Sequence, residues 1–245
     1  MPATLDHIME DASAALARMD YLACESLCLE ALGAARGRGD WAYYSRILLP
    51  LQEARRQRRM IAAEGTVRLG TTAMNSADEA RMASLETGCL VLTHPLTHDA
   101  ARDLNRRATA NRRFIEVLFA DNAADAPHWT LRSFDGPGVT CVVQAPPQSW
   151  LNVWIQPRPG PGSRSDPAID VVTPVNGKTP ADWFIDATEA LGDAALPQLA
   201  AGRAGLAEIE ALESCLHVVT DHEIIHQRLA AAARAMALMI GPKSE

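Results

Sequence analysis

Two short apolar runs, "CLVLT" (89–93) and "FIEVLFAD" (114–121), flank a single amphipathic stretch, "THDAARDLNRRATANRR" (97–113). The runs have strand length, and the stretch between them has helical spacing, with Thr97 placed to cap it. Strand, helix and strand in that order make a βαβ unit, whose strands are parallel and whose crossover is right-handed. "HWTLRSF" and "VTCVVQA" follow, joined by "DGPG", and read as an antiparallel hairpin. The centre of the chain is therefore a mixed sheet of about four strands. Just ahead of it, "SADEARMASLETG" reads as a short helix, with Ser76 and Glu79 as a capping box and Gly88 as its stop.

Helical periodicity dominates both ends. "LDHIMEDASAALARM" spaces Leu5, Ile8, Ala12, Ala15, Leu16 and Met19 along one helix face. Asp20 caps a second helix that carries Cys24 and Cys28 one turn apart and stops at Gly37 and Gly39. Asp40 caps a third, inside which Pro50 is expected to force a kink or a restart. Eight of the 15 prolines fall between 146 and 180, which marks a loop or linker, with "SWLNVWIQ" before it open to strand or short helix. Thr179-Pro180 opens a helix with proline at its first position, and two more helices follow. The expected class is α+β, divided as helices over 1–64, an α/β domain over 65–147, a linker over 148–180 and C-terminal helices over 181–245.

"ALARMDYLACESLCLEAL" resembles the central turn and second helix of a tetratricopeptide repeat: Asp20-Tyr21 at the turn, small Cys24, then Ala31-Leu32, with Ala12 at the small position of the first helix. "DWAYYSRILLPL" looks like the first helix of a following repeat, although Leu48 stands where a small residue belongs and Pro50 is foreign to the pattern. The resemblance covers about one and a half repeats over residues 5–60. It implies protein–protein interaction and no chemistry of its own. Such repeats stack to bury their faces, so this one must lean on the rest of the chain or on another chain.

Charge and cysteine usage narrow the classes. The net charge of −7 argues against a dedicated nucleic-acid binder, although residues 46–113 carry +5. That excess lies in "EARRQRRM" (53–60) and "NRRATANRR" (105–113), read as solvated faces or partners for the acidic remainder, with an anion or RNA site as the alternative. The five cysteines form no C-x-x-C pair and no disulfide framework, which fits reduced, buried thiols in a cytoplasmic, bacterial protein. The N-terminus lacks a basic segment followed by an apolar one, and no run approaches the ~18 apolar residues of a membrane span.

Three sets of residues are candidate sites. "TDHEIIHQR" holds H-E-x-x-H: His222 and His226 four apart suit a zinc ion, and Glu223 between them suits a general base toward a metal-bound water. The motif resembles that of the zincins, where it lies within a helix and a third ligand comes later; here only 19 residues follow His226, without His or Asp. The competing structural reading is a helix start, with Thr220 and Glu223 as a capping box and both histidines half-buried at the edge of an apolar stripe. The second set is "THPLTHD" after the first strand. His94 and His98 would meet Asp121 and Asp125 beyond the carboxyl ends of the parallel strands, where α/β folds bind ligands and where acid–base chemistry or metal binding is available. Its structural reading is that Thr97 and Asp99 serve a helix start while the histidines bond loop backbone. The third set is aromatic: Tyr21, Trp41, Tyr43 and Tyr44 as an exposed groove for a partner, or, for Trp41 and Tyr44, as core. No glycine-rich phosphate loop and no nucleophile elbow occurs.

The leading expectation is a non-catalytic, protein-binding scaffold that uses no cofactor and contacts neither membrane nor nucleic acid. The alternatives are a zinc-dependent, peptidase-like hydrolase through His222, Glu223 and His226, and an α/β enzyme or ligand site through His94, His98 and Asp121.

Overall fold

A computed structural model describes residues 4–121, 126–156, 172–199 and 202–240. Three helices come first: α1 (Leu5–Ala17), α2 (Tyr21–Arg38) and α3 (Trp41–Glu64). Strands and helices then alternate as β1 (Thr66–Leu69), α4 (Ser76–Ser84), β2 (Thr87–Leu92), α5 (His98–Ala110) and β3 (Phe114–Ala120). The sheet is completed by β4 (His128–Arg132), β5 (Thr140–Gln144) and β6 (Trp154–Ile155). Last come α6 (Pro180–Asp193), α7 (Leu206–Leu216) and α8 (Glu223–Ile240). The protein is α+β, with a mixed sheet between helical ends. Among the described residues no helix is long and apolar enough to cross a membrane.

The chain forms two compact units, one of Met1–Arg58 with Ala195–Glu245 and one of Arg59–Ala194. The last two helices therefore belong with the first three, while α6, expected in the C-terminal helical region, belongs with the sheet.

In the helical unit, Asp20 and Asp40 cap as expected: Asp20 Oδ1 accepts from the Ala23 amide at 3.1 Å, and Asp40 Oδ1 from the Tyr43 amide at 2.9 Å. Gly39, left-handed at φ 63°, closes α2. Helix α3 neither stops nor restarts at Pro50. The carbonyl that Pro50 leaves without an amide is that of exposed Arg46, on a face where water can take the donor's place. Cys24, Cys28, Ala31 and Ala35 form the fully buried stripe of α2, with the two thiol sulfurs 4.0 Å apart. All five cysteines are unpaired by disulfides, four of them buried.

The sheet runs β5-β4-β3-β2-β1-β6. The β2–β3 pair is parallel and the β4–β5 pair antiparallel, as the runs at 89–93 and 114–121 and the hairpin required. Two strands exceed the expected four. Arg68 hides β1 in the sequence because it interrupts the apolar pattern; its buried guanidinium lies 4.8 Å from the Trp154 ring centre. Strand β6 is only two residues long, and it pairs antiparallel with β1.

Helix α4 is capped one residue earlier than its S-x-x-E pattern predicts. Asn75 Oδ1 accepts from the Ala77 and Asp78 amides, and Asp78 returns the bond to the Asn75 amide, so Ser76 and Glu79 are not the box. Gly88 does not end that helix either. It lies in β2, where an added Cβ would fall on the Thr66 carbonyl oxygen of the neighbouring strand. Met82 and Leu85, at the end of α4, and Leu104 of α5 pack on the same core of Leu90, Leu92, Ile115, Val117 and Phe119. Both crossover helices thus cover one face. Helix α6, opened by the Thr179/Asp182 capping box with Pro180 first, lies against β1, β2 and β5.

Candidate functional site

The H-E-x-x-H residues sit across a helix start rather than within a helix. The His226 amide donates to the His222 carbonyl at 3.1 Å, so His222 takes the N-cap position and Glu223 is the first helical residue. The expected Thr220/Glu223 capping box is not what opens the helix. The Glu223 carboxylate accepts from the Gln227 side chain at 2.7 Å, and Thr220 instead uses its carbonyl, 2.9 Å from His226 Nε2. Neither histidine is half-buried: both are 1% exposed. Burial, helped by nearby Arg55 and His222, pulls the His226 imidazole down to about 4 against the opposing pull of the Thr220 carbonyl. A neutral imidazole that donates to a carbonyl presents no lone pair at that nitrogen.

At the sheet edge, the side chains that close the strand ends are Thr71 and Thr93, which the sequence reading passed over. The Thr71 amide donates to Thr93 Oγ1 at 3.0 Å, Thr71 Oγ1 to the Thr93 carbonyl at 2.6 Å, and the Thr93 amide to Thr71 Oγ1 at 2.8 Å. Thr97 caps α5 as expected. His98 Nε2 lies 3.0 Å from the Ser133 carbonyl, and its ring meets Phe119 and Phe134 at 5.4 and 5.2 Å. His94 is exposed, 6.2 Å from Phe119. Asp121 is exposed too, and among the described residues no hydrogen bond or ion pair joins it to either histidine. Asp125 lies outside the described residues. Because β1, β2 and β3 follow one another in order, the parallel strands contain no reversal of strand order, the feature that opens a ligand crevice in such sheets.

Arg55, Arg58 and Arg59 of the first basic run turn inward to carboxylates, while Arg106, Arg107 and Arg112 of the second stay exposed. Glu25 receives Arg55 Nε at 2.9 Å and also Arg58, all three side chains being nearly buried. Both guanidiniums hold the Glu25 carboxyl below its usual range, although burial, the largest single influence, pushes it up. Arg59 meets Glu189, Arg106 meets Asp135, and Arg113 reaches the Ala83 and Leu85 carbonyls.

The aromatic set separates. Trp41 and Tyr44 are buried, 5.5 Å apart ring to ring. Tyr21 and Tyr43 are partly exposed; the Tyr43 hydroxyl donates to Asp6 at 2.8 Å. Tyr44 does, however, line a cavity of about 250 Å³ inside the helical unit. Leu29 and Leu32 of α2, Leu48 and Leu51 of α3, Leu216 of α7 and Leu229 of α8 form its apolar wall. Arg36 and Glu213 form its polar side: Glu213 Oε1 accepts from the Tyr44 hydroxyl at 2.5 Å, and Arg36 bonds both Glu213 and, at 3.2 Å, Glu210. Arg55 and His217 complete the lining. Gly33 stands on the exposed side of α2, and a Cβ there would meet nothing within 4 Å.

The sequence carried one overlooked signal of this cavity. Gly33 breaks an otherwise strong helix former run, where glycine costs roughly 1 kcal/mol against alanine and no neighbour requires it. The four-helix enclosure itself could not be read, because α7 and α8 join from more than 160 residues away in sequence.

Set against known proteins, the chain matches no family model, no curated protein and no solved structure.

Proposed function

We propose that the protein is a non-catalytic binding module whose helical unit receives an apolar side chain of a protein partner. The observation that carries this reading is the leucine-walled cavity beside Gly33. At about 250 Å³ it lies just below the ~300–1,000 Å³ of small-molecule sites, a size for one or two side chains rather than a cofactor. Its wall is aliphatic, and burying one leucine-sized group there contributes roughly 2 kcal/mol before ordering costs. The tetratricopeptide resemblance of residues 5–60 supports the same reading, since such helices present concave surfaces to other proteins.

The test is retention on the immobilised full chain, wild type beside Gly33→Leu. The leucine side chain enters open space, so the variant keeps its fold while the cavity narrows. A protein held by the wild type and lost from the variant is the expected result. The same proteins held equally by both would refute the reading.

A further inference from the structure

We propose that the open edge of β5 takes an extended, uncharged peptide of a protein partner as an added strand, with one apolar side chain of that peptide in the cavity beside it. The site lies in the sheet unit and is independent of the cavity among the helices.

Strand β5 ends the sheet and pairs on one side only, with β4. The Ala145 amide donates to the Pro127 carbonyl, and the Ser133 amide donates to the Val139 carbonyl, so odd-numbered residues along β5 turn their backbone groups inward. Thr140, Val142 and Gln144 alternate with them and turn theirs to the open edge. The Gln144 carbonyl accepts from the Trp183 indole N–H at 3.0 Å. Among the described residues nothing pairs with the outward backbone groups of Thr140 or Val142, and Val142 is 67% exposed. Sheet edges are usually guarded by a charge, a bulge or brevity. The opposite edge strand, β6, is two residues long, whereas β5 has five residues and no charge from Val139 to Pro147.

Beside this edge lies a cavity of about 570 Å³, within the ~300–1,000 Å³ of ligand sites. Its apolar lining includes Val142, Val143, Pro147, Trp150, Val175 and Trp183. The charged side chains of the lining, Lys178 and Asp186, bond each other at 2.5 Å, so the cavity favours neither sign. Asn176 and Gly177, at φ 52° and 76°, form a two-residue turn whose flanking Val175 and Lys178 exchange both backbone bonds. Those groups are satisfied, while Thr140 and Val142 still offer a ladder to an incoming chain.

An extended peptide answers both features at once. Its main chain exchanges bonds with Thr140 and Val142, and its alternate side chains point to opposite faces, one of them into the cavity. A second copy of the chain fits less well. Two β5 edges paired antiparallel about Val142 set each Thr140 against the other copy's Gln144, whose carbonyl Trp183 already engages.

The probes are blocked pentapeptides with valine or threonine at four positions and leucine, phenylalanine, tyrosine or tryptophan at the centre. Hydrogen exchange of the Thr140 and Val142 amides is read on the full chain with and without each peptide. Both amides should exchange freely in the chain alone and slow about tenfold at a peptide concentration about ten times its Kd. Val142→Pro removes an outward N–H and no internal bond, a change that edge strands tolerate. Protection of Thr140 should vanish in Val142→Pro and persist in Val142→Thr, which keeps the N–H. Ala190→Leu narrows the cavity and should weaken binding. Methylating alternate peptide nitrogens should abolish protection in one phase and spare it in the other, a test that needs no variant of the protein. Amides that no peptide protects, protection equal in Val142→Pro, or indifference to the phase of methylation overturns the added strand. Protection that rises with protein concentration in the absence of peptide assigns the edge to a second copy and overturns the peptide.

Discussion

The Tyr44 hydroxyl donates to Glu213 Oε1 at 2.5 Å, tying α3 to α7 across 169 positions of sequence. The bond closes one side of the leucine-walled cavity and holds the carboxylate that Arg36 also engages. Burial pushes the Tyr44 phenol up to about 12, so it stays a donor throughout the neutral range. Tyr44→Phe should lower stability by about 1–2 kcal/mol, the worth of a hydrogen bond to a charged acceptor. Urea unfolding followed by circular dichroism measures this, and an unchanged midpoint would show that the bond contributes nothing.

Glu25 is a carboxylate shared by Arg55 and Arg58. Glu25→Gln removes the negative charge that two nearly buried guanidiniums share. The expected loss is about 3 kcal/mol, far beyond that of a surface pair. Glu53→Gln, which weakens a 4.0 Å contact with Arg56 and keeps an amide oxygen to accept from the Gln57 side chain, serves as the control and should change stability by less than about 0.5 kcal/mol.

His226 makes the fold acid-sensitive. Its pKa is about 4 when folded against an ordinary 6.5, so the unfolded chain takes up the proton first. Stability from this group is complete above about pH 6.5 and falls as pH drops toward 4, by up to roughly 3 kcal/mol. Melting curves across that window should show the slope in the wild type and lose part of it in His226→Gln. A histidine resonance of His226 that titrates near 6.5 in the folded protein would contradict the assignment.

Zinc should leave the melting temperature unchanged. With Nε2 on the Thr220 carbonyl, only Nδ1 of His226 keeps a lone pair, and both histidines are 1% exposed, so a metal reaches them only if the helix start opens. A rise in melting temperature with one equivalent of zinc, absent in His222→Ala, would restore the hydrolase reading.

Two glycines should respond in opposite directions. Gly33→Ala adds a methyl group to open space on a helix and should stabilise by about 0.5–1 kcal/mol. Gly88→Ala drives a Cβ into the Thr66 carbonyl of the adjacent strand and should cost more than about 2 kcal/mol, visible as a lower denaturation midpoint.

By itself the sequence determined the local elements whose signals are local. Asp20, Asp40, Thr97 and Thr179 cap the helices they were expected to cap, because a short oxygen-bearing side chain needs only the next turn's amides. The parallel β2–β3 pair followed from two apolar runs and one crossover helix, since handedness and loop length leave that order few arrangements. Where two caps compete within one residue, as Asn75 and Ser76 do, pattern alone could not choose; the backbone geometry of the turn did. Strand β1 stayed hidden because Arg68 is polar in sequence and becomes core only once Trp154 stacks on it. Tertiary structure also settled whether a polar motif faces solvent. The H-E-x-x-H histidines, read as half-buried at a stripe edge, are 1% exposed, and Tyr44 finds its carboxylate 169 positions away. The cavity exists only where α2 and α3 meet α7 and α8, and contacts between segments so far apart in the chain leave no periodic trace in either one.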